Sequence, residues 1–333
     1  MISMKGSKAR ISIVTPSFNQ SQYLEQTICS VLDQNYRHLE YMIFDGGSTD
    51  GSVAIIKKYQ RYLSYWESTP DRGQSHAINK GLTRATGEVF NWLNSDDYLE
   101  PGALKTIEGC FENPATKVVC GRSRIFRDPD QTIKYSSGTD VYSGNLPKTI
   151  GWARIDQPET FFRLQSYRTV GQLNESLHYL MDKEWWMRYL CEFGLDGIVS
   201  ISDTLVNFRH HSLSKTVSQQ NGFEAELLLV ISSFANSCNY PNSFKFFEDQ
   251  KPSINYSFKA VDQKLLQASV SYMLLLLSDY YYYQKMDNSS AKVFLQGVIA
   301  ANLETDDEPL LRKLKFGAKF LPPFLRKIYH TLK

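Results

Sequence analysis

Residues 90–101 read FNWLNSDDYLEP. An apolar, aromatic run from Phe90 to Leu93 passes directly into Asn94, Ser95, Asp96 and Asp97, and leaves through Pro101. Two adjacent carboxylates at the end of a buried strand repel each other and are costly to desolvate, so they call for a counter-charge from protein, metal or water. The same pattern, a strand ending in a polar loop, recurs upstream. ISIVT (residues 11–15) is β-branched and runs into PSFNQS, LEYMIFD ends at Asp45 before GGSTDGS, and LSYWES leads into TPDRGQS. Between the first two, Leu24, Ile28, Val31 and Leu32 fall on one helical face, with Ser21 as the expected N-cap. Such alternation over residues 11–112 predicts a parallel βαβ sheet. Ligands of open parallel sheets bind outside the carboxyl ends of the strands, where Asp45, Asp71 and Asp96 all fall.

Beyond Leu104 the pattern changes. KVVCGRSRIF, QTIKYSS and QPETFFRL, within residues 117–165, read as antiparallel additions to the sheet. MDKEWWMRYLCEF repeats Trp186, Leu190 and Phe193 at helical spacing, and GIVSISDTLVNF is a further strand before RHHSLSKT. From about Ser218 the chain turns helical, with a long apolar segment from Leu265 to Tyr283. The organisation expected is a first domain over residues 1–216 and a helical region over 217–333 ending in a basic amphipathic tail.

At 333 residues, 42% hydrophobic and 22% charged, the chain can bury a large core. A net charge of +2 gives no field that argues for nucleic acid. The charge is uneven, however: residues 309–333 hold Arg312, Lys313, Lys315, Lys319, Arg326, Lys327 and Lys333 with no acidic residue. Mixed with Phe316, Phe320, Leu321, Phe324, Leu325 and Ile328, they suit peripheral contact with an anionic membrane. Five scattered cysteines without CxxC fit a reducing compartment. With no signal-peptide pattern and no apolar run long enough to span a bilayer, a cytoplasmic protein at the inner face of the membrane is expected.

Taken together, VTPSFN, FDGGSTDGS, DRGQSHAINKG, WLNSDDYLEPGAL, QPETFF and MDKEWWMR resemble the family 2 glycosyltransferases, over about residues 10–216. That family comprises inverting enzymes of the GT-A fold that use nucleotide-activated sugars. The resemblance implies an α/β architecture: a Rossmann-like nucleotide-binding sheet, mostly parallel with antiparallel additions, followed by helices. It implies transfer of a single hexosyl or N-acetylhexosaminyl group from a nucleotide-sugar donor, a UDP-sugar, to a sugar or lipid-linked sugar acceptor in bacterial surface polysaccharide or glycan assembly. QxxRW, carried by processive synthases of this superfamily, has only Gln165-Ser166-Tyr167-Arg168-Thr169 as its nearest approach, without the Trp.

Residue by residue, the resemblance implies that Asp96 binds Mg²⁺ or Mn²⁺ bridging the donor diphosphate, with His211 as a second ligand. The nucleotide pocket comprises Thr15, Pro16, Ser17, Asp45, Ser48, Asp71, Arg72, Gly73, Asn79, Asn94 and Ser95. Asn94 stands where the family usually has the first Asp of Asp-x-Asp. Asp182 aligns with the base that takes the acceptor proton, Glu184 being the alternative. Arg209, Lys215 and Trp186 fall on the loops for diphosphate and acceptor. A nucleotidyltransferase is the rival enzyme, but it calls for a Gly-rich, basic loop after the first strand, which VTPSFNQS lacks. A catalytically degenerate sugar-nucleotide-binding protein is the other alternative, with Asn94 as its hint.

Overall fold

The computed structural model describes residues 8–152, 154–211, 219–241, 247, 253–258 and 261–322. Its first elements follow the alternation read above. They are β1 (Ile11–Ser17), α1 (Ser21–Leu32), β2 (Leu39–Asp45), α2 (Ser52–Tyr59), β3 (Tyr65–Ser68), α3 (Gln74–Arg84), β4 (Val89–Trp92), β5 (Tyr98–Leu99) and α4 (Ala103–Phe111). There follow β6 (Val118–Arg127), β7 (Gln131–Tyr135), α5 (Leu146–Trp152), β8 (Thr160–Arg163), α6 (Leu164–Val170), α7 (Met181–Phe193) and β9 (Ile198–Arg209). The last helices are α8 (Gln220–Ser237), α9 (Gln263–Tyr283), α10 (Asn288–Gly297) and α11 (Glu308–Phe320).

Nine strands form one sheet in the order β3-β2-β1-β4-β8-β6-β9-β5, with β7 paired to β6. β1 pairs in parallel with β2 and β4, and β2 with β3. β8 then runs antiparallel to both β4 and β6, β5 runs antiparallel to β9, and β6 and β9 are parallel. This is the mostly parallel sheet with antiparallel additions, followed by helices, that the sequence leads one to expect.

Side-chain alternation along β1 sorts the two faces. Ile11 and Ile13 join Leu24, Ile28, Val31, Ile56, Leu104 and Ile107 in one buried cluster. Val14 points the other way, against α3 at Gly81. A Cβ at Gly81 would lie 2.5 Å from Val14 Cγ2, so only glycine lets α3 press this close to β1 and bring its N-terminus to the strand ends.

The N-cap of α1 differs from expectation. Gln20 occupies the cap position without a side-chain bond, and Ser21 is the first helical residue. Asp50, from the turn after β2, supplies the missing acceptor: its Oδ2 takes the Ser21 N–H at 2.8 Å and its Oδ1 the Ser52 N–H at 3.0 Å. One carboxylate thus serves the starts of α1 and α2. Burial raises its pKa, but the bonds from Ser21 and Ser52 outweigh that and hold it at about 2.

The chain separates into two compact units. The first comprises residues 1–140, 154–189 and 195–223, and the second 141–153, 190–194 and 224–333. The second therefore draws α5 from the middle of the sequence. Within it, Gly151 of α5 lies so close to α9 that a Cβ there would be 2.6 Å from Tyr272 Cβ. Asp307 receives Lys148 Nζ at 2.6 Å and Tyr272 Oη at 2.9 Å, tying α5, α9 and the start of α11 together. No helix among the described residues is long and apolar enough to cross a membrane.

Candidate active site

At the carboxyl ends of β1 and β4 the first unit holds a cleft of about 660 Å³. Its wall takes Pro16, Ser17, Phe18 and Gln20 from the end of β1 and the loop after it, Gly46 after β2, and Asp71, Gly73 and Gln74 from the start of α3. Asn94, Ser95 and Asp96 enter from the loop after β4, His178 and Tyr179 from the segment before α7, and Met181 and Asp182 from its start. Six residues of the expected nucleotide set therefore meet Asp96 and Asp182 around one cavity: Pro16, Ser17, Asp71, Gly73, Asn94 and Ser95.

The acidic loop is held on every side. Thr27 Oγ1 lies 2.9 and 2.7 Å from the carbonyls of Ser95 and Asp97. Asn94 accepts from Gln74 Nε2 at 2.8 Å and donates to Asp97 Oδ2 at 3.3 Å. Asp97 is buried, and burial first, then the charge of Asp96, pushes its pKa well above the ordinary carboxylate value. Asp96 is the more open of the two, and its Oδ2 lies 3.0 Å from His211 Nε2. The two carboxylates of the opening stretch are thus unequal: Asp97 braces the loop and Asp96 faces the cleft.

Asp71 is fixed by the Gly73 N–H, which donates to its Oδ1 at 2.8 Å, and by Gly46, whose Cβ would sit only 3.0 Å from Oδ2. On α7, Asp182 accepts its neighbour's Lys183 N–H at 2.7 Å. Burial in the cleft wall raises its pKa to about 6, against the lowering effect of that bond. Behind it, Trp185 stacks on Tyr167 with ring centroids 3.9 Å apart, and Phe162 meets Trp185 edge-on at 4.8 Å. This aromatic packing seats the first turn of α7 against β8 and α6, and with it Asp182.

Several expected residues stand elsewhere. Glu184 is buried and doubly paired to Arg188, at 2.9 and 3.0 Å, so it is a structural ion pair rather than an alternative base. Trp186 has no exposed surface and stacks on Tyr189 at 5.0 Å, which makes it core rather than an acceptor contact. Arg209 is enclosed as well: its side chain bonds Asp128, Gln26 and the Asp96 carbonyl, among the rings of Tyr23 and Phe126. It holds the backbone of the acidic loop, with its guanidinium consumed by these partners.

Arg72 pairs with Glu175 at 2.6 Å on the surface, and Asn79 is a buried brace to Leu173 and Glu175. Thr15 lies buried against Tyr41 Oη. Asp45 spends its acceptors on Gly47, Ser48 and Ser68, so Asp45 and Ser48 shape the turn behind the cleft wall. Lys215 lies outside the described residues.

The sequence reading missed Gln20, Gln157, His178, Tyr179 and Phe223, all of which line the cleft. Gln157 donates to Asn91 Oδ1 and the Trp92 carbonyl, fixing the QPETFF segment against β4. His178 and Tyr179 stand four and three residues before Asp182, a proximity that could have marked them. Phe223 could not be so marked: it reaches the cleft through its 5.0 Å contact with the Tyr179 ring, which nothing in its local sequence signals.

Comparisons with known proteins bear on the family and the fold. A Mycobacterium tuberculosis glycosyltransferase, Rv1514c, is 38% identical over 209 residues, covering 57% of this chain and 77% of its own length. TuaG of Bacillus subtilis, named for teichuronic acid biosynthesis, is 33% identical over 151 residues, or 43% of this chain and 59% of its own. Among solved structures, residues 1–349 of S. aureus TarS superpose with a TM-score of 0.61 at 15% identity, covering 97% of this chain and 92% of theirs, a likeness of fold. Residues 12–188, more than half of the chain, match glycosyl transferase family 2, a span that takes in β1 from its second residue, the acidic loop and α7 as far as Arg188, and the chain belongs to that family.

Proposed function

We propose that this glycosyltransferase moves a single sugar from a nucleoside diphosphate donor to an acceptor hydroxyl in one inverting displacement. The observation that carries the reading is the shared cleft of Asp96 and Asp182, a carboxylate held by His211 and a carboxyl group with a pKa near 6. The acceptor oxygen attacks the anomeric carbon from the side of α7 and passes its proton to Asp182, while the bond to the diphosphate breaks. A base of pKa about 6 is ionised at neutral pH and can accept that proton.

Asp96 and His211 suit a divalent cation. Oxygen and imidazole nitrogen stand 3.0 Å apart, with Asp96 on the cleft wall, while burial and the charge of Asp96 push the pKa of the neighbouring Asp97 up. No group of three or more ligating side chains occurs among the described residues, and oxygens of the donor and water would add to the coordination. Mg²⁺ or Mn²⁺ held there with the donor's oxygens would neutralise the charge on the departing diphosphate.

TarS of like fold has been seen with UDP-GlcNAc, which supports a UDP-sugar as donor. The name of TuaG supports a place in polysaccharide assembly. A sugar or lipid-linked sugar at the cytoplasmic face of a membrane is the acceptor that suits this reading. Asp182→Asn should lower turnover by about 10²–10⁴-fold while leaving calorimetric binding of the UDP-sugar with Mn²⁺ intact. Turnover equal to that of the parent protein would remove Asp182 from the mechanism.

A further inference from the structure

Helix α11 buries one face and leaves another bare. Leu311, Leu314, Gly317 and Ala318 are buried, and Gly317 sits so close to Tyr282 that a Cβ would lie 2.2 Å from its hydroxyl oxygen. On the opposite side Phe316 and Phe320 are 59% and 58% exposed, with ring centroids 5.1 Å apart. Residues four apart share a helical face, so the two rings form one exposed apolar spot. Arg312, Lys313, Lys315 and Lys319 are exposed around them. Glu308 is the single acid on the helix, 3.9 Å from Arg312 at its first turn.

We propose that this face of α11 docks on an anionic lipid surface, with Phe316 and Phe320 entering the headgroup region and the four cations meeting lipid phosphates. The charge pattern favours lipid. Cations ring an apolar centre with no acid beyond the first turn, which complements a sheet of negative headgroups, and lysine stems can lie along the apolar surface while their ammonium groups stay wet. The sequence continues in the same composition through Phe324, Leu325, Arg326, Lys327 and Ile328. The inference reaches beyond glycosyl transfer and does not depend on the assignment of the base or metal.

The test is co-sedimentation of the full chain with phosphatidylcholine vesicles with and without phosphatidylglycerol. Binding is expected only with phosphatidylglycerol, and should weaken with added salt. The Phe316→Ser/Phe320→Ser and Lys315→Glu/Lys319→Glu variants should each lose about tenfold or more in vesicle affinity, with unchanged thermal melting because all four side chains face solvent. Absence of binding by the parent chain would overturn the proposal, as would equal binding by the Phe variant. A concentration-dependent dimer abolished by the Phe variant, without vesicle binding, would instead assign the face to a second copy.

Discussion

The backbone N–H of Arg209 donates to Asp97 Oδ1 at 2.9 Å. This bond joins the end of β9 to the loop after β4, two segments more than a hundred residues apart in sequence. Asn94 holds the other oxygen of Asp97, and the Arg209 side chain holds the Asp96 carbonyl. Asp96 is therefore aimed by a frame in which Asp97, Asn94 and Arg209 are structural members. The Asn at the first position of the acidic motif belongs to that frame, bridging Gln74 and Asp97.

From this division of labour, Asp97→Asn should be mild. Asparagine keeps an oxygen for the Arg209 N–H and gives up only the longer 3.3 Å bond from Asn94, so stability should fall by about 1–2 kcal/mol. Asp96→Asn should fold equally well and lose Mn²⁺-dependent binding of UDP. Calorimetry of UDP with Mn²⁺ on both variants checks this, and equal losses would show that the carboxylates share one role.

The strands of the first unit were legible because their β-branched runs end in polar turns, and the residues at those ends, Ser17, Asp71 and Asp96, do line the cleft. Less legible was which polar side chains face outward. Asp45, Asn79 and Arg209 have the chemistry of ligands but are consumed by partners far away in sequence, and no local pattern reports a distant acceptor. The same holds for α5. Gly144, Pro147 and Gly151 are turn-forming residue types, so nothing local marks α5 as a helix, yet Gly151 is needed where α5 meets Tyr272.

The pKa of Asp182 sets a pH profile. In the role proposed for it Asp182 must be ionised, so kcat/KM should climb about tenfold per unit below pH 6 and level off above it. Steady-state rates measured across that range with saturating metal would show the limb. A profile with no inflection near pH 6 would place the essential proton acceptor elsewhere.

Glu159 offers a stability counterpart. It is fully buried, with Oε1 accepting from Ser136 at 2.8 Å and Oε2 without a partner among the described residues. Burial, then the charge of Asp156, raises its pKa to about 8. Between the unfolded value near 4.5 and about 8 the native state binds more protons than the unfolded one, so this group's stabilising contribution is lost as pH rises through that window. Glu159→Gln, which stays neutral, should flatten the fall in melting temperature over the window and leave the protein more stable than the parent at pH 8, by on the order of 1–3 kcal/mol. Melting curves at pH 5 and pH 8 decide the matter, and parallel shifts at both would contradict it.

Ser17 and Gln20 present the opposite balance between stability and binding. Ser17 Oγ and Gln20 Oε1 are buried atoms of the cleft wall with no partner among the described residues. A buried polar atom left unpaired costs about 1–3 kcal/mol, which a ligand bonding to it recovers. Ser17→Ala removes one such atom, so the free protein should melt at the same temperature or higher. Its affinity for UDP should nonetheless fall by about threefold to tenfold, the worth of one neutral hydrogen bond. Gln20→Leu should behave alike. Thermal melting and calorimetric titration with UDP read the two effects separately. A gain in stability without loss of affinity would mean that the nucleotide lies away from the end of β1, and the assignment of this wall to the donor would have to be given up.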